Sequence, residues 1–245
     1  MMKVLRALIT LCFFVLFGIG GVILSYLVLP FVWKRTTALR IVRAIWWVIL
    51  QGFILTRLIR IDQRALAKGI RGAVILANHP SLIDVVILTV LIPNTFSVAK
   101  HALRRNPLIG IIVRRVFLHD DARLLEEAGT LLAQGYNVLI FPEGTRSPEP
   151  TVMHKWHRGG TQLALRTCAP LQPIALHYDY RMLAKGQSIL DMGTQSVAIT
   201  ITSLPQIPAI PAAELTNYHP TAVRLTREMK TAIEETLNQA TTSAH

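Results

Sequence analysis

From Gly72 onward the chain alternates short apolar runs, rich in strand-forming residues, with longer amphipathic stretches. That alternation admits few folds, because each run reads as a buried strand and each amphipathic stretch as a helix that covers it. Strands are expected near Ala73–Ala77, Thr95–Ala99, Val116–Leu118, Asn137–Phe141, Leu171–His177 and Val197–Thr202. Helices are expected over Leu82–Leu91, Pro107–Arg115, Ala122–Gln134 and Gly159–Thr167, with Gly135 placed to stop the third. The fold class is therefore α/β, a mainly parallel central sheet flanked by helices, preceded by an N-terminal membrane-associated helical segment. The proline-spaced run 204–211 reads as an extended connector, and Thr221–Ala240 as a packing helix.

The segment before the sheet has a different character. Ala7–Trp33 is 27 residues without a charge, about 40 Å as a helix, against a hydrocarbon thickness of roughly 30 Å. An apolar run of that length, with no small-residue cleavage site after it, is expected to be a membrane anchor rather than a cleaved signal. Residues 38–61 are expected to form an interfacial helix, since the uncharged stretch Ala44–Thr56 is too short to cross a bilayer and Arg40, Arg43, Arg57 and Arg60 share a helical arc. The predicted organisation is thus membrane-anchoring helices over 1–61 and an α/β domain over 62–245.

Charge supports a lipid partner. The formal net charge is +12, yet no acidic residue precedes Asp62, so the basic excess lies beside apolar sequence, the pattern of a protein held against anionic lipid. Nucleic acid is not an expected partner, because the aromatic residues Phe13, Phe14, Phe17, Trp46 and Trp47 fall in membrane-like segments rather than among basic residues of a polar domain. The two cysteines, Cys12 and Cys168, suggest neither a disulfide framework nor a metal set, and His101, His119, His154, His157 and His177 lack zinc-like spacing.

Two stretches carry chemistry. Asn78-His79-Pro80-Ser81-Leu82-Ile83-Asp84 joins the first strand of the alternation to a helix, so Asp84 in the helix's first turn can face back toward His79. A histidine paired with a carboxylate is a general base near neutral pH, suited to deprotonating an acceptor hydroxyl. Ser81 and Asp84 by themselves would equally make a helix capping box. The second stretch, Phe141-Pro142-Glu143-Gly144-Thr145-Arg146-Ser147, ends another strand with a carboxylate, a flexible glycine, a hydroxyl and a guanidinium, the parts of a phosphate cradle. Lys100, Arg104, Arg105, Arg114 and Arg115 form a candidate basic rim for an anionic donor or headgroup, and Lys155, His157 and Arg158 follow the cradle closely enough to line the same cleft.

Together these stretches resemble the glycerolipid acyltransferase family. The resemblance covers four blocks in order: Asn78 to Asp84, matching the family's His-x4-Asp; Lys100-His101-Ala102-Leu103 with Pro107 to Gly110, closed by Arg123; Phe141 to Ser147; and the strand around Pro173-Ile174. The lead-in to Arg123, His119-Asp120-Asp121-Ala122, is more acidic than the family's usual one. The resemblance implies acyl transfer from a thioester to a lyso-lipid hydroxyl, most simply 1-acyl-sn-glycerol-3-phosphate, with other lysophospholipids, amino-acid lipids or glycolipid precursors as alternatives. It implies His79 and Asp84 as catalytic residues and Lys100, Arg123, Glu143, Gly144, Thr145, Arg146 and Pro173 as substrate-binding ones. No cofactor or metal is expected beyond the co-substrate, acyl-CoA or acyl-carrier protein. The expected location is a bacterial inner membrane with the domain on its cytoplasmic side. A lipid hydrolase or a non-catalytic lipid-binding protein would share parts of the pattern.

Overall fold

A computed structural model describes residues 21–242 apart from 24, 108, 188–195, 212 and 214–216, together with Cys12, Val15 and Ile19. Of the expected anchor over 7–33, residues 7–11, 13, 14, 16–18, 20 and 24 lie outside the described residues. After a 3-10 turn at Leu29–Phe31, the elements are α1 (Arg35–Leu55), β1 (Ile59–Asp62), β2 (Val74–Ala77), α2 (Asp84–Leu91), β3 (Thr95–Ala99), α3 (Gly110–Val116) and β4 (Leu118–His119). There follow α4 (Leu124–Ala133), β5 (Asn137–Ile140), α5 (Gly159–Thr167), β6 (Leu171–Tyr178), β7 (Val197–Ser203) and α6 (Tyr218–Thr242).

The seven strands form one sheet in the order β1-β7-β6-β2-β5-β3-β4. All neighbours are parallel except β6 and β7, which run antiparallel. The mainly parallel α/β architecture follows from strands buried on both faces: every residue of β2 is inaccessible, with Val74 and Leu76 packed into one core and Ile75 and Ala77 into the other. The first core also holds α5 and α6, and the second holds α2 and the C-terminal half of α1 through Leu50 and Phe53. The chain therefore leaves β2 toward one face of the sheet and the adjacent β5 toward the other. Their loops part, leaving a crevice at the strands' C-terminal ends, the position where open α/β sheets bind ligands.

The bounds expected for the helix over 38–61 are corrected. The helix runs Arg35–Leu55, Thr56 Oγ1 closes it on Gly52 O at 2.8 Å, and Arg57 turns the chain in the left-handed region at φ 54°. Ile59–Asp62 is a strand, paired in register with Val197–Thr200 of β7. The arginines do not form one solvated arc either, because Arg43 turns inward and donates from Nε and Nη2 to Val90 O at 3.2 and 2.8 Å. α1 is the one described helix long and apolar enough to cross a membrane by length and composition, with a third of its apolar window buried. A smaller correction concerns Val116, which closes α3 instead of opening a strand.

Candidate active site

β2 ends where Asn78 takes over the work of a strand residue. Its buried side chain donates from Nδ2 to Leu176 O at 2.9 Å and accepts from Leu176 N at 2.8 Å, so the amide continues the contact with β6 while the main chain turns away. His79 follows, and its Nδ1 lies 2.8 Å from Asp84 Oδ2. Asp84 is the first residue of α2 and is 0% exposed. Part of the expected capping box forms: the Ser81 N–H donates to Asp84 Oδ2 at 2.7 Å, while the Ser81 hydroxyl accepts from Ile83 N at 3.4 Å instead of from the Asp84 amide. Tyr178, at the end of β6, donates its hydroxyl to Asp84 Oδ1 at 2.5 Å. Burial, then the Asp84 charge beside it, pushes the Tyr178 phenol well above its usual pKa, so it remains a proton donor.

The contact with Asp84 bears on how the imidazole is oriented. A carboxylate accepts only, so the Nδ1 proton faces Asp84 and Nε2 carries the lone pair. The ring stacks on Phe141 at 4.1 Å and 20°, and its side chain is 17% exposed, shielded on one face.

Glu143, expected to order its loop or to meet the acceptor's hydroxyls, is turned into the protein. It is 3% exposed, and its oxygens accept from His79 N (3.0 Å), Ser147 Oγ (2.7 Å) and His154 N (2.8 Å). Ser147 N donates in turn to His79 O at 2.7 Å. The carboxylate thus bolts the His79 turn to the loop after β5 and is saturated by protein donors. Gly144, at φ 64°, is exposed beside it with its position facing the His157 ring, and the left-handed backbone favours glycine there. Thr145 and Arg146 are half-buried. Arg146 Nη1 donates to Leu183 O (2.8 Å) and Ala184 O (3.2 Å), leaving Nε and Nη2 without partners among the described residues.

Lys100 and Arg123 are exposed at the C-terminal ends of β3 and β4. These strands lie two and three places from β2, about 10 and 14 Å across the sheet, so both residues rim the same edge at a distance from His79. The acidic lead-in to Arg123 is spent on its own turns: Asp120 Oδ1 accepts from His101 N at 2.6 Å and Asp121 Oδ1 from Arg123 N at 3.0 Å. That last bond is the main reason the Asp121 carboxyl is held below its ordinary range. Of the expected donor rim, Arg114 and Arg115 donate to Arg104 O and Pro30 O. Pro173 is not brought to the crevice; it is buried inside β6 opposite Leu76. Among the described residues no group of three His, Cys, Asp or Glu side chains gathers as a metal site.

Residues 59–177, from β1 to the penultimate residue of β6, match the acyltransferase family model. That stretch, 119 of the chain's 245 residues, is similar to an acyltransferase domain. The chain is similar to a 1-acyl-sn-glycerol-3-phosphate acyltransferase of Cocos nucifera, 29% identical over 42% of this chain and 37% of that one. It is also similar to a lyso-ornithine lipid O-acyltransferase of Pseudomonas aeruginosa, 33% identical over 42% of each chain. The chain thus spans about two fifths of the length of these curated relatives. The fold matches the crystal structure of the 1-acyl-sn-glycerophosphate acyltransferase PlsC from Thermotoga maritima with a TM-score of 0.67, covering 98% of both chains at 18% identity.

Proposed function

We propose that this protein transfers a fatty acyl group from a thioester to the hydroxyl of a lyso-lipid, with His79 as the general base. The observation that carries the reading is the buried Asp84 carboxylate holding His79 Nδ1 at 2.8 Å, which leaves Nε2 to take a proton. The hydroxyl oxygen attacks the thioester carbonyl as His79 Nε2 removes its proton. The carbon–oxygen ester bond then forms, the carbon–sulfur bond breaks, and the proton passes from the imidazolium to the departing sulfur as a free thiol. Asp84 orients the ring and stabilises its cationic form in between.

Gly144, Thr145 and the two unengaged nitrogens of Arg146 are the groups that would hold an acceptor phosphate beside His79. 1-Acyl-sn-glycerol-3-phosphate, the acceptor named for the coconut relative, fits that chemistry. The lyso-ornithine lipid named for the Pseudomonas relative is the second acceptor to test. The acceptor reaches the crevice from a bilayer: Trp33, Trp47 and Leu55 present exposed apolar surface along and beside α1, with the basic flank toward the anionic, cytoplasmic side.

The test is product identification by mass after supplying labelled acyl-CoA or acyl-carrier protein with both acceptors. His79→Ala should keep its fold and lose roughly 10²- to 10⁴-fold in turnover, the usual contribution of a general base. Undiminished turnover in that variant would remove His79 from the reaction.

A further inference from the structure

A cleft of about 980 Å³ lies between α5 and α6, on the sheet face opposite α2, and no carboxylate lines it. Lys155, Arg158, Arg227 and Lys230 supply its charge. Lys230 is shared with Glu234 at 2.6 Å and Arg158 contacts the His219 ring, whereas Lys155 and Arg227 have no partner among the described residues. Two further features address an anion there. Trp156, 5% exposed, lines the cleft with an indole N–H that has no hydrogen-bond partner among the described residues. α5 opens at Gly159 without a side-chain cap, so its first amides await an acceptor where the helix dipole favours negative charge.

The cleft adjoins the loop that carries Gly144. His157 lines it, donates its N–H to Pro142 O at 2.8 Å, and presents its ring to Gly144. Pro142 follows Phe141, on which the His79 ring stacks. The cleft also lies across the sheet from the C-terminal half of α1, whose Leu55 is 82% exposed. Its volume falls within the range of small-molecule sites, roughly 300–1,000 Å³.

We propose that this cleft binds the phosphorylated nucleotide end of a coenzyme A thioester, whose pantetheine arm then runs past His157 and Gly144 to His79. The proposal rests on the acyl-transfer reading and names the donor for it. It differs from an assignment to Lys100 and the α3 arginines, two of which are engaged by backbone carbonyls.

The test compares the full chain with its Lys155→Ala/Arg227→Ala double variant in mixed micelles, on acyl-CoA, on the acyl-pantetheine that lacks the nucleotide, and on acyl-carrier protein. Losing two solvent-exposed charge contacts should raise KM for acyl-CoA about tenfold with little change in kcat, while wild type and variant converge on acyl-pantetheine. Adenosine 3′,5′-bisphosphate should bind the wild type calorimetrically, compete with acyl-CoA, and bind the variant about tenfold more weakly. An unchanged KM for acyl-CoA, an equal rise for acyl-pantetheine, or a rise confined to acyl-carrier protein would overturn the proposal. Bisphosphate binding that the variant weakens, with no acyl product from any donor, would keep the nucleotide site and remove the reaction; acyl-CoA turnover indifferent to the variant would do the reverse.

Discussion

Asp84 keeps a wholly buried negative charge on three donors from three places in the chain: the His79 ring, the Ser81 amide and the Tyr178 hydroxyl. Tyr178→Phe removes one hydrogen bond to a charged group, about 1.5–3 kcal/mol. Because Tyr178 acts through Asp84 on His79, the expected signature is a lower kcat with an unchanged acceptor KM, accompanied by a lower Tm. The raised phenol pKa also sets a sign. Its contribution to stability is fully present below pH 10.0, the ordinary phenol value, and is lost as pH rises above it, so the Phe variant should show a shallower loss of Tm in alkaline buffer. His119 gives the opposite window. Burial first, then the Arg104 and Arg35 charges, hold it neutral with a depressed pKa, so its contribution is present above pH 6.5 and lost as pH falls. Tm should therefore drop less between pH 7 and 5 in His119→Phe than in the wild type. His79 and Asp84 were legible because a single turn of chain carries both; Tyr178 was not, since 94 residues separate it from its partner and only the β2–β6 pairing brings it in. Of the two roles open to Glu143 in the sequence, ordering its loop or meeting the acceptor's hydroxyls, the three protein donors around it match the first.

At the scale of elements, α2 is held at both ends by residues that face the rest of the molecule. Asp84 opens it inside the site, and Arg43 of α1 donates to the Thr89 and Val90 carbonyls near its close, where a cation also meets the negative end of the helix dipole. Arg43→Ala should cost about 1–2 kcal/mol, or roughly 2–6 °C in Tm, although Arg43 is far from the chemistry in sequence. Gly110 marks another close approach, because a Cβ there would lie 2.7 Å from Arg104 O, a backbone atom. Gly110→Ala should destabilise by about 1–3 kcal/mol, read as a lower urea midpoint. The strands of the alternating region were readable because burial on both faces leaves an unbroken apolar run. β1 was not: Ile59-Arg60-Ile61-Asp62 is short, half polar, and directly continues a helix whose arginine spacing extends into it.

Across the whole molecule, the exposed apolar surface along α1 belongs to a helix that is also part of both cores, through Val42 in one and Phe53 in the other. Trp47→Ser together with Leu55→Ser should weaken co-sedimentation with anionic vesicles by at least about tenfold, since each side chain contributes roughly 1.5–3 kcal/mol when buried in lipid. Tm in detergent should scarcely move, because neither side chain is in the core. The pairing of β1 with β7 carries a consequence for biogenesis. Ile59 finds its neighbour Val197 only after roughly 140 further residues have been synthesised, some 7 to 30 s at ribosomal speeds. During that interval α1 has already been synthesised while the places of β6 and β7 in the sheet stay empty, so the crevice beside β2 can close only after nearly the whole domain has been made.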